Sequence, residues 1–249
     1  MIELDHLTKK YARVTAVNNL NLTIKKGEIF GFIGPNGAGK TTTIKMLGGI
    51  LAPTSGSVKI CGINMADEPE RAKQRIGFIP DRPYLYEKLT GMEFLRFMAG
   101  LYKVDNASFH QKTKEQLELF SLSEWAHDLI DSYSHGMRQR LVMVAAFLHD
   151  PEVIIVDEPM VGLDPMGIIL VKDLFRRLSK NQTTIFMSTH SLHVAQDICH
   201  RIGIIHRGTL IATGTLDELR QNARFTNADL EKVFIALTTE PPNHQEYGV

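Results

Sequence analysis

The chain has 249 residues, of which 43% are hydrophobic and 22% charged, and Lys+Arg 28 against Asp+Glu 28 leaves a formal net charge of +0. That length and apolar content support one large domain or two small ones and exclude a disordered chain, while the charge balance argues against non-specific nucleic-acid binding as the main activity. Met1-Ile2-Glu3-Leu4-Asp5 is no signal peptide, and the longest apolar run, Leu141 to Leu148, is too short to span a bilayer, so a soluble protein that meets a membrane through a partner is expected.

Alternation at Ile2 and Leu4, and again at Leu20, Leu22 and Ile24, predicts half-buried strands of an antiparallel sheet closed by a turn at Lys26-Gly27. Tyr11, near the end of the first strand, is either an ordinary strand aromatic or a platform on which a base stacks. Ile29 to Ile33 then reads as a buried strand running into Gly34-Pro35-Asn36-Gly37-Ala38-Gly39-Lys40-Thr41, and Lys40 to Leu47 as the helix that leaves it. The spacing is Gly, four residues, Gly-Lys-Thr. Glycines let successive backbone N–H groups close on a polyanion, Lys40 supplies an ammonium charge, and Thr41 offers a hard oxygen for Mg²⁺. The helix points its positive end at the same place. This stretch predicts a bound nucleoside triphosphate.

Pro53 to Gly56 turns the chain into a short strand, Ser57 to Cys61, and Arg75 to Pro80 returns to the core before Asp81 and the loop Arg82-Pro83-Tyr84-Leu85-Tyr86. The apolar residues of that loop either cap the core or form a docking surface. From Thr90, which forms a capping box with Glu93, the pattern becomes helical: Phe94, Leu95, Met98 and Leu101, then Leu117, Phe120 and Leu122. Ser134 N-caps a helix that Gly136 opens to close approach, either simply a capped helix or a second anion site at a helix N-terminus. Cys61 and Cys199 lack metal spacing and are read as buried thiols of a reducing compartment.

Val153 to Val156 is an apolar strand of the kind found at the centre of a parallel sheet, and it ends in Asp157-Glu158. At the carboxyl edge of such a sheet Asp157 is placed to hold Mg²⁺ with Thr41, and Glu158 to polarise an attacking water. A helix is expected from about Met166 to Asn181, a strand from Thr183 to Met187, a helix from Leu192 to Cys199, and a hairpin through Arg207-Gly208. His190 emerges at the same sheet edge, where an imidazole can donate to a γ-phosphate. Leu230, Val233, Phe234 and Leu237 predict a final amphipathic helix.

Taken together these residues resemble the ATP-binding cassette ATPases, with the motifs in family order over about residues 2–220. The resemblance implies an α/β P-loop NTPase core with a parallel sheet, an antiparallel β subdomain and an inserted helical subdomain at about 85–149. It further implies a single domain over 1–238, a C-terminal helix at about 228–238 and a flexible tail at 239–249. Tyr11 matches the adenine-stacking aromatic; Gly34, Pro35, Asn36, Gly37, Ala38, Gly39, Lys40, Thr41 and Thr42 match the phosphate-binding stretch. Ser134 and Gly136 match the signature, Gly162-Leu163-Asp164 the dimer-contact loop, Asp157 and Glu158 the magnesium and catalytic carboxylates, and His190 the switch histidine. Two departures stand out: Tyr133-Ser134-His135-Gly136-Met137 where the family has Leu-Ser-Gly-Gly-Gln, and Asp81, as a metal-touching residue, where the family has glutamine.

The implied function is an ATP- and Mg²⁺-dependent ATPase that closes as a head-to-tail dimer, a homodimer by expectation. It would drive a separate transmembrane permease, of exporter type, from the cytoplasmic face of the cell membrane. The alternative is a soluble cassette ATPase that remodels a protein or nucleic-acid complex; no nucleic-acid partner is expected. A cassette that only binds ATP, and an unrelated phosphate-loop kinase or GTPase, are weaker rivals. Lys40, Asp157, Glu158 and His190 are intact, and no Asn-Lys-x-Asp guanine reader is present.

Overall fold

A computed structural model describes residues 1–225 and 228–239. Its strands are β1 (Ile2–Tyr11), β2 (Val14–Ile24), β3 (Ile29–Ile33), β4 (Ser55–Ile60), β5 (Ile63–Asn64), β6 (Ile76–Ile79), β7 (Val153–Asp157), β8 (Thr184–Thr189), β9 (Arg201–His206) and β10 (Thr209–Gly214). Its helices are α1 (Lys40–Leu47), α2 (Pro69–Lys73), α3 (Gly91–Leu101), α4 (Asn106–Leu119), α5 (His135–Phe147), α6 (Pro165–Lys180), α7 (Leu192–Ile198), α8 (Leu216–Asn222) and α9 (Leu230–Thr239).

The strands form two sheets. The antiparallel one runs β2-β1-β4-β5 and the larger one β10-β9-β3-β8-β7-β6, in which all neighbours but β10 and β9 are parallel. Sequence pattern explains the division. Ile2 and Leu4 point inward while Glu3 and Asp5 face water, as suits a sheet covered on one side. Every residue of β3, β7 and β8 is buried, as suits strands covered on both faces. Helix α1 lies between the sheets, its Ile44, Met46 and Leu47 joining one core with Ile2, Leu20, Phe30, Phe32 and Phe186. On the opposite face α5 packs on β6 and α6 on β8 and β3, with α3 and α4 against α5, so that Phe120, Leu141, Phe175 and Met187 share a second core. A third core gathers Ile33, Ala195, Ile204 and Leu230 beneath α7 and α9.

Most expected elements fall within a residue or two of their predicted bounds, and α1 coincides with its prediction. The differences have local causes. Leu101 keeps helical spacing but is 59% exposed at the end of α3, outside the buried stripe of Phe94 and Leu95. The loop after β6 divides: Leu85 packs against the core, whereas Tyr84 and Tyr86 are exposed, the latter edge-on to Phe97 at 5.6 Å. Cys61 and Cys199 are free and half-buried rather than buried; burial around the Cys199 sulfur still pushes that thiol up. Thr239, expected in the tail, ends α9, and the remaining tail residues lie outside the described residues.

Candidate functional site

The loop between β3 and α1 is shaped by backbone approaches that exclude side chains. A Cβ on Gly34 would stand 2.3 Å from the Ile205 carbonyl oxygen, and one on Gly39, at φ 111, only 2.4 Å from that of Ala16. Only glycine fits at either position. The loop is also tied from outside, since Gly208 N–H donates to the Ala38 carbonyl at 2.9 Å and Asn18 N–H to that of Gly208 at 2.8 Å. Lys40 curls back over it, its Nζ donating to the carbonyls of Gly34 at 2.7 Å and Pro35 at 3.1 Å. Burial pulls the Lys40 ammonium below the usual lysine range, and the nearby carboxylates of Glu158 and Asp157 pull the other way. Pro35, Asn36, Gly37 and Thr41 are exposed and Thr42 half-buried, so the cup is open to solvent.

Strand register brings the acidic residues to this cup. β8 lies between β3 and β7, pairing Ile33 with Thr189 and Asp157 with Ser188, so three parallel strands end at one level. Gly34, Glu158 and His190 follow directly at the carboxyl edge, where ligands of open parallel sheets bind. Asp157 is 5% exposed, and one of its oxygens accepts a hydrogen bond from the buried Ser188 hydroxyl. Glu158 sits in the left-handed region at φ 52, its N–H donating to the Ser188 carbonyl at 3.1 Å. A non-glycine residue held there costs about 1 kcal/mol or more and persists only where its surroundings fix it. The Glu158 carboxylate receives His190 Nδ1 at 2.9 Å, so His190 contacts the acid beside the cup.

Ser188 was not among the residues singled out from sequence. Its only signal was a hydroxyl residue ending the apolar run Ile185-Phe186-Met187, and its partner became visible only with the β7–β8 register.

The remaining predicted residues occupy separate places. Tyr11 ends β1, 46% exposed, with Lys9 Nζ 5.3 Å from its ring centre; the adjacent strand β2 supplies Ala16, which touches Gly39. Asp81 follows β6, next to β7 at the same edge, and is half-buried. Ser134 caps α5, its hydroxyl accepting from Met137 N–H at 3.3 Å. Gly136 closes on the loop after β7, where the Gly162 carbonyl oxygen would stand 2.9 Å from an added Cβ. Among the described residues no three His, Cys, Asp or Glu side chains cluster to hold a metal. A divalent ion here would therefore draw its oxygens from few protein groups and mostly from phosphate and water, the habit of Mg²⁺. No helix of the described residues is long and apolar enough to cross a membrane.

Comparison with known proteins places this architecture. The family model "ABC transporter" matches residues 17–161. The chain is 37% identical to the linearmycin resistance ATP-binding protein LnrL of Bacillus subtilis over 88% of its own length and 70% of LnrL. It is 39% identical to the bacitracin transport ATP-binding protein BcrA of Enterococcus faecalis over 95% of its length and 76% of BcrA. Among solved structures, an ATP-binding subunit of an ABC transporter superposes with a TM-score of 0.91 at 33% identity, covering 95% of this chain and 99% of that one. A dimeric post-hydrolysis state of the ATP-binding cassette MJ0796, bound to ADP and Pi, superposes with a TM-score of 0.81 at 27% identity, covering 87% and 99%. The chain belongs to the ABC transporter family, as an ATP-binding and ATP-hydrolysing subunit.

Proposed function

We propose that this subunit binds ATP with Mg²⁺ between two copies of itself and uses hydrolysis to drive a separate membrane permease of exporter type, working from the cytoplasmic face of the membrane. The observation that carries the reading is the alignment of Gly34, Asp157-Glu158 and His190 at the ends of three neighbouring parallel strands. We treat residues 1–238 as one cassette domain, with 85–149 as its helical part. The export assignment leans on relatives named for bacitracin transport and linearmycin resistance.

The residues take these roles. Backbone N–H groups of Gly34 to Thr42 cradle the phosphates, and Lys40 exchanges its bonds to Gly34 and Pro35 for phosphate oxygens. Tyr11 offers its ring to the base. Thr41, Asp157 and Asp81 are the residues that would hold Mg²⁺, which when bound would supply charge neutralisation at the phosphates. The Ser188 hydroxyl holds one oxygen of the Asp157 carboxylate and so fixes its orientation. Glu158 orients and deprotonates the attacking water, and His190 holds Glu158 and contacts the γ-phosphate. Ser134 and Gly136 supply donors to the γ-phosphate of the nucleotide on the other protomer. Closure by ATP and release on hydrolysis then follow from the presence or loss of that phosphate.

Ser188→Ala is expected to raise the Mg²⁺ concentration for half-maximal hydrolysis about tenfold, because an outer partner that orients a metal carboxylate is removed. A Mg²⁺ titration of purified protein checks this, and an unchanged midpoint overturns it. The function as a whole is tested by Mg²⁺-dependent ATPase activity together with detergent pull-down of the partner. Co-purification with ribosomes or DNA in place of a membrane protein would favour the remodelling alternative. In that preparation Asp81→Gln is expected to shift both the metal dependence and the stimulation by the permease. No change in either sinks the role given to Asp81.

A further inference from the structure

The signature turn and the loop leading from Glu158 are built against each other through a residue that the family pattern does not predict. His135 stands first in α5, between Ser134 and Gly136, where the family has glycine. Its ring covers Gly162: a Cβ there would lie 2.3 Å from His135 Cδ2 and 2.7 Å from Nε2. The contact is returned, since the Gly162 carbonyl lies against Gly136. Gly162 has φ +78, so both its backbone and the ring above it require glycine. The loop is fastened at each end. Val161 N–H donates to the Glu158 carbonyl at 3.2 Å, Leu163 N–H to that of Met160 at 3.4 Å, and Asp164 caps α6 through Gly167 N–H at 3.0 Å. A push on Gly162 therefore reaches Glu158 through two short turns.

We infer that His135 is a positioning residue: a flat wedge that locks the signature turn to the loop from Glu158, so the two move as one body. This rests on the two-protomer reading above. In that arrangement the signature turn meets the nucleotide of the partner while Glu158 of the same chain serves its own. His135 thereby links engagement at one nucleotide to the placement of the catalytic acid at the other. The ring acts by shape, filling the space that Gly162 leaves open.

A double-mutant cycle on the full-length protein tests this. Gly162→Ala places a methyl group inside the ring contact and also strains a left-handed backbone; only the first effect disappears when the ring is removed. Gly162→Ala is expected to lower kcat about tenfold with His135 present and no more than about threefold in the His135→Ala background, with KM for ATP unchanged throughout. His135→Phe, which keeps a flat ring, should hold kcat within about twofold of the parent, whereas His135→Ala should not. Equal factors in both backgrounds, or His135→Ala indistinguishable from the parent in kcat, overturn the inference; thermal melts of all variants confirm folding. If the parent protein itself neither hydrolyses ATP nor dimerises with it, the proposed function falls as well. If it does both and the cycle is additive, only the wedge falls.

Discussion

Glu158→Gln is expected to lower kcat by about a thousandfold while leaving ATP bound, because general-base help of this kind contributes about 10²–10⁴ in rate. The substitution preserves volume at a side chain that is 15% exposed, and leaves Lys40, Asp157 and the glycine loop untouched. The Gln amide can still meet His190 Nδ1. The strained backbone of Glu158 supports the assignment: a left-handed glutamate at a strand end, held by its N–H to Ser188, keeps its carboxylate near enough to Lys40 to act on that ammonium. Single-turnover hydrolysis with labelled ATP measures the loss. Turnover within about threefold of the parent would remove Glu158 from the chemistry.

The second large effect is at Lys40. Lys40→Ala is expected to weaken ATP binding by about 3 kcal/mol, or roughly a hundredfold in Kd, since it deletes one partner of a desolvated charge pair. Equilibrium titration with a fluorescent ATP analogue checks it, and an unchanged Kd would sink the role. The same residue sets a pH dependence. Its cation is the form that binds, and burial lowers its pKa while Glu158 and Asp157 oppose that shift. Binding is therefore fully supported below the lowered pKa and is lost as pH rises through it, beginning below the range of an ordinary lysine. Lys40→Arg keeps its charge across that window, so its affinity, weaker throughout, should lose the alkaline fall.

What could be read from sequence was whatever neighbouring residues encode together. Gly34 to Thr41 state the loop in eight consecutive positions, and α1 begins and ends where its pattern says. The apolar run ending in Asp157-Glu158 showed both the buried strand and its functional edge. Thr90 and Glu93 announced α3, and the same capping box at Thr215 and Glu218, equally legible, marks the start of α8, which was not anticipated. The brief α2 and β5 carried too few residues for a period to show.

Contacts between distant segments were hidden. Ser188 meets Asp157 only because β7 and β8 pair in one register, and His135 meets Gly162 only because α5 packs beside the loop after β7. Tyr84 and Leu85 are neighbours of similar apolar character, yet one faces water and the other the core, a choice made by the helices they adjoin.

In the proposed function the loop at Gly34–Thr41 forms half of an ATP site, and Ser134–Gly136 of a second copy form the rest. Sedimentation of the Glu158→Gln protein with ATP and Mg²⁺ tests it most directly. The expected result is a dimer that requires ATP and that reverts to monomer when Ser134→Arg is added. A monomer under these conditions, or a dimer indifferent to Ser134→Arg, would contradict the claim.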